Sequence, residues 1–127
     1  MIAFLIDPEF GTISQIEISA MSTLKDLYKN IDCHTVDLVG NVLDGHDLFV
    51  DDEGLLYDVP PHGLFQIRLP DGYETILAGR GVIIGHDGEG NCEDAKCSAQ
   101  DVAKIARQVI RIDGAKQQID TAEFKIA

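Results

Sequence analysis

Apolar residues in this chain come in short alternating runs, each closed by Gly, Pro or Asp, and that rhythm restricts the fold more than any other feature. Ile2–Ile6 is rich in strand formers, Asp7-Pro8-Glu9-Phe10-Gly11 interrupts it, and Thr12–Ile18 sets Ile16 and Ile18 on one side with Gln15 and Glu17 on the other. A two-residue period is that of a strand with one buried face, so residues 2–18 predict a β-hairpin. Further on, His34–Val39 alternates and stops at Gly40-Asn41. Asp47–Val50, the turn Asp51–Gly54 and Leu55–Tyr57 predict a second hairpin, Leu64–Leu69 another strand, and Gly81–Gly85 a buried one.

Two segments carry a helical period instead. Leu24, Leu27, Tyr28 and Ile31 fall at i, i+3, i+4 and i+7, behind Ser22 or Thr23 as cap and Asp26 as its capping-box acid. Ser98-x-x-Asp101 opens the second, whose apolar face is Val102, Ile105, Ala106, Val109 and Ile110. The predicted class is α+β: a mostly antiparallel sheet of short strands, an N-terminal hairpin and a central meander, packed by helices at about 22–31 and 98–110. We expect one domain over residues 1–127, in which 113–127 reads equally as a strand, a short helix or a frayed tail. A chain of 127 residues with 45% apolar and 25% charged residues has the makings of a globular core.

Charge is segregated. The formal net charge is −12, and residues 30–95 hold fourteen acids against only Arg68 and Arg80. Such a chain is repelled by phosphate backbones, so direct nucleic-acid binding is not expected. The acids Asp44, Asp47, Asp51, Asp52, Glu53 and Asp58 fall at predicted turns, and their convergence would form a docking face for a basic partner. Turns favour Asp for backbone reasons as well, so a merely solvated acidic face is the competing explanation. Arg80, one of two bases in this stretch, is expected to pair with a nearby carboxylate.

Known site chemistries fit poorly. Cys92 and Cys97 are four residues apart with no second ligand pair at zinc spacing, although His86, Glu93 and Asp94 lie close in sequence. Cys97 precedes a helix start, where the dipole would lower its pKa modestly. Asp87-x-Glu89-x-Asn91 opens like a calcium loop, but Cys92 and Ser98 stand where Gly and Glu are required. Gly79-Arg80-Gly81 precedes a strand rather than a helix, so it makes no phosphate loop. No Ser sits at a nucleophile elbow, and His34, His46, His62 and His86 fall at strand edges or loops. We therefore expect no catalytic centre, no metal and no cofactor. Residues 1–6 meet Asp7 too soon for a signal peptide, and the odd cysteine count suits a reducing compartment, so the cytoplasm is the expected location, with no membrane contact.

The order of motifs is itself informative. Ile6-Asp7-Pro8, Leu24-x-x-Leu27-Tyr28, Cys33-His34-Thr35-Val36-Asp37, Val50-Asp51-Asp52-Glu53-Gly54-Leu55-Leu56 and Leu77-Ala78-Gly79-Arg80-Gly81-Val82-Ile83-Ile84-Gly85, followed by Asp87 and Glu89-Gly90, succeed one another over roughly residues 1–110. This pattern resembles a family of small proteins of unknown function encoded by phages, plasmids and other mobile elements. The resemblance implies an accessory role inside a bacterial host, one consequence of which would be interference with a DNA-handling or defence protein. It brings no catalytic residues. From the residues themselves, the alternative is a small-ligand or nucleotide-sequestering domain built around Gly79-Arg80-Gly81.

Overall fold

The computed structural model describes all 127 residues, as two sheets and two helices. Sheet A takes β1 (Ile2–Asp7), β2 (Thr12–Glu17), β3 (Val36–Leu43), β4 (His46–Asp51), β7 (Gly81–His86), the short β8 (Cys92–Glu93) and β11 (Lys125–Ile126). Its order is β11-β2-β1-β7-β4-β3, with β8 folding back on the end of β7. Sheet B runs β10 (Gln118–Glu123), β9 (Ala106–Asp113), β5 (Leu64–Arg68), β6 (Glu74–Ala78). Pairing is antiparallel except where β11 joins β2. The class is α+β, as the periodicities require.

Alternation along the strands divides the core in two. Phe4 and Ile6 of β1, Leu48 and Val50 of β4 and Ile83 of β7 face Phe65 and Ile67 of β5, with Ala99, Val102 and Ala106 beside them. The intervening residues, Ala3, Val82 and Ile84, face the other way, against Leu27 and Ile31 of α1 (Thr23–Ile31). Sheet A thus lies between α1 on one side and sheet B with α2 (Ala99–Ile105) on the other.

Three local expectations differ from the structure, and the alternatives left open at the C-terminus resolve to strand. The second helix stops at Ile105, and the chain passes directly into β9. The stripe Val102, Ile105, Ala106, Val109, Ile110 satisfies a helical period, but β5 offers Ala106–Gln108 a ladder and β10 pairs Val109 with Thr121, and the β-branched Val109 and Ile110 favour strand over another helical turn. Residues 118–126 form β10 and β11. The Leu55–Tyr57 strand is absent: Glu53 N–H donates to Asp51 Oδ1 and Gly54–Leu56 makes a single 3₁₀ turn, while β4 pairs with β3 and β7 instead. In α1, Asp26 does not close a capping box. Its carboxylate reaches back to Ser19 N–H, and Leu24 of the predicted stripe is exposed.

Gly85 marks the tightest backbone approach. A Cβ there would strike the carbonyl oxygen of Asp94, a backbone atom that cannot rotate aside. Gly85→Ala is expected to destabilise the protein by about 1–3 kcal/mol, as overpacking does, measurable as a lower urea midpoint with an unchanged slope.

Candidate interaction surface

The two sheets share one end of the molecule. There β1 and β4 finish and β7 begins, since Gly81 lies opposite both Ile6 and Val50. β5 also begins there: Gly63, just before it, packs near Pro8, and Gln108 of the neighbouring strand donates to the Pro8 carbonyl at 2.7 Å. Because Phe65 pairs with Gln108, residues 110–113 of β9 run on past the start of β5 and project from this same end.

The linker from β4 to β5 crosses this end. Gly54 is held under β6, where a Cβ would meet the Ala78 carbonyl oxygen at 2.8 Å. Further along, His62 Nε2 lies 2.9 Å from Asp32 Oδ2 and its Nδ1 3.3 Å from Glu9 Oε1, with only 15% of the ring exposed. Carboxylates accept only, so both contacts are hydrogen bonds when the ring is an imidazolium. This ties the linker to the C-terminal cap of α1 and to the β1–β2 turn. Between these anchors the side chains face outward: Leu56 is 80% and Val59 82% exposed, and Leu55 and Tyr57 are exposed as well. Asp52, Glu53 and Asp58 are exposed around them, and Asp51 half-buried.

Five of the seven residues singled out from sequence therefore meet here: Asp51, Asp52, Glu53, Asp58 and Arg80. Arg80 is turned inward, its Nε 3.5 Å from Asp7 Oδ2 and one terminal nitrogen donating to Asn30 O at 3.4 Å, so it braces β1 and α1 rather than facing a partner. Asp44 and Asp47 belong elsewhere. β4 separates Asp44 from Asp51 by roughly 20 Å at strand rise. Asp47 accepts from Asn41 N–H and has His86 Nδ1 3.1 Å from Oδ2, off the line of a good hydrogen bond. The acids from 44 to 58 thus form two groups, not one continuous face. The exposed apolar residues were missed because the Leu55–Tyr57 run reads as strand.

At the opposite end is an open cleft of about 710 Å³, lined among others by Asp44, His46, Arg68, His86, Lys96 and Lys104. His46 is buried and fixed in one tautomer: Nδ1–H donates to Asp44 O at 2.7 Å, and Nε2 accepts from Lys96 N–H and Cys97 N–H at 2.9 and 3.2 Å. It holds backbone in place and has no lone pair free for chemistry. Lys96 and Lys104 each lie by an acid of their own segment, Glu93 and Asp101.

The cysteines are half-buried, and the exposed Asp87 loop is satisfied within itself. Burial pushes the Cys33 thiol up to about 11, helped by Asp51, and raises those of Cys92 and Cys97. The lowering expected for Cys97 is reversed because burial, with Asp101 next, outweighs a helix of two turns. Asp87 spends its carboxylate on Glu89 and Asn91 N–H groups of its own loop, which hold its pKa below the usual range.

The model of the family described as Domain of unknown function (DUF3846) matches residues 1–110. The chain belongs to this family. No curated protein and no solved structure matches it. The matched part contains the cleft and the linker anchors; it ends within β9, so most of the β9–β10 hairpin lies beyond it.

The hydrogen bond from His62, and then its charge, hold the Asp32 carboxyl below its ordinary value of 3.8. A lowered carboxyl stabilises the fold above that ordinary value and loses its contribution as pH falls through the folded-state one. His62→Ala should therefore be less stable than the parent at pH 5, the difference narrowing below about pH 4; urea titrations across this range check the sign.

Proposed function

We propose that this DUF3846 protein is a non-enzymatic accessory protein of a phage or plasmid that works by contact, presenting the Asp51–Val59 linker to a basic protein of the bacterial host. The observation that carries this is the composition of one exposed segment: four carboxylates without a base, interleaved with Leu55, Leu56, Tyr57 and Val59 turned to solvent. Exposed apolar side chains rimmed by charge are the ordinary makeup of docking sites. Their carboxylates add steering towards a positive surface. A groove that binds nucleic acid offers both, cationic side chains over apolar floors, so occupying one would hinder a DNA-handling or defence protein. The mobile-element setting rests on the motif resemblance given above.

Capture from host lysate at low salt tests it. A basic protein should be retained by the parent, released as salt rises, and retained at least about tenfold less by Leu55→Ser/Leu56→Ser and by Asp52→Lys/Glu53→Lys, one decade being 1.4 kcal/mol. Equal retention by these variants, or no basic protein at all, would sink the proposal.

A second reading, small-anion or nucleotide binding, moves from Gly79-Arg80-Gly81 to the cleft, where Arg68, Lys96 and Lys104 gather in an otherwise acidic chain. A nucleotide at 100 times its Kd would stabilise the protein by about 2.7 kcal/mol, and the gain should vanish in Arg68→Ala/Lys96→Ala. A nucleotide panel that leaves the melting temperature unmoved rejects this alternative.

A further inference from the structure

The β9–β10 hairpin is built differently from the rest of the surface. β10 is the last strand of sheet B, with β9 on one side and no strand on the other. Beyond β5 the hairpin has lost its neighbours, and a bulge between Val109 and Arg111 leaves Ile110 unpaired. Past the bulge Ile112 pairs with Ile119, and all three isoleucines are exposed, Ile110 by 60%. An open edge with apolar residues along it is a template for another strand. Proteins usually blunt such edges; this one carries Asp120 and Glu123, while the face it shares with β9 presents Ile110, Ile112 and Ile119 to solvent.

Charge indicates which strand fits. Ala106–Glu123 carries Arg107, Arg111 and Lys116 against Asp113, Asp120 and Glu123. The hairpin is neutral, so the whole −12 resides outside it. Two copies of so acidic a molecule repel, and a neutral contact face adds least to that repulsion. We propose that a second copy of this chain pairs with β10, antiparallel about a two-fold axis, joining two B sheets into one. Isologous pairing of this kind closes on itself and stops at the dimer.

The side chains select the register. A two-fold axis normal to the sheet passes through a single residue of β10, because facing residues must point to the same side. Centred on Asp120, it opposes two carboxylates; centred on Thr121, it opposes Ile119 with the partner's Glu123. Centred on Ile119, it sets Ile119 against the partner's Ile119 and Gln118 against the partner's Asp120, an amide facing a carboxylate. Ile112, Ile119, the partner's Ile119 and the partner's Ile112 then form a continuous row across four strands. The inference does not depend on the docking linker, since a host partner need not exist for the dimer to form.

Sedimentation equilibrium through the micromolar range is the first test, and a concentration-dependent dimer is expected. Ile119→Lys should weaken it at least tenfold. Gln118→Lys, facing the partner's Asp120, should tighten it, and Gln118→Glu should weaken it. Both Gln118 exchanges are exposed polar replacements, so they carry the test should Ile119→Lys fail to fold, with circular dichroism as the check. With Cys33, Cys92 and Cys97 replaced by Ser, Ile119→Cys should cross-link on oxidation far faster than Met21→Cys, because facing Cα atoms of an antiparallel pair lie within disulfide range. A wild-type chain that stays monomeric, Gln118 exchanges that shift the equilibrium in the same direction or not at all, or cross-linking no faster at 119 than at 21 would each overturn the proposal.

Discussion

The strand β7 demands cover on both faces, and the rest of the architecture follows from that demand. Gly81, Val82, Ile83, Ile84 and Gly85 are all buried and offer no polar side chain to either side. A strand of that kind is stable only between two layers. One layer is α1, whose Leu27 and Ile31 close over Val82 and Ile84. The other is sheet B with α2, whose Phe65 and Val102 share the cluster of Ile83. With each face at roughly 25 cal/mol per Å² of apolar area removed from water, losing either layer would expose the centre of sheet A. The tight fits at Gly81, against Leu48 and Phe65, and at Gly85, against the Asp94 backbone, show how closely the layers approach.

Strand positions were largely legible: period-two alternation marks one-sided burial in β2 and β5, and unbroken apolar runs mark β1 and β7. The misreadings have a common physical origin. Ala106–Ile110 and Leu55–Tyr57 have local patterns that satisfy a template, but their state depends on partners distant in sequence. β5 captures Ala106–Gln108 as a strand. Ala78 accepts only a glycine at position 54 and so bends the Leu55–Tyr57 segment away from sheet pairing. Alternation says which residues face inward, but not which strand lies alongside.

The charges were readable in number and not in place. Asp44 to Asp58 form one acidic run in sequence, yet β4 intervenes and delivers its two ends to opposite ends of the molecule. Histidines show the same limit. His46 and His62 look alike as loop residues, but one is a neutral acceptor for two backbone N–H groups and the other sits between two carboxylates. Such roles arise from residues 30 to 53 positions away, and no local motif announces them.

Between Gly54 and His62 the linker is fastened at its ends and free in its middle. Leu55, Leu56, Tyr57, Asp58 and Val59 belong to neither hydrophobic cluster. Their replacement therefore makes little difference to whether the chain folds. Were the segment to dock a partner as proposed, what it recognises would be decoupled from what keeps the protein intact, and successive variants could exchange these five side chains on an unaltered scaffold.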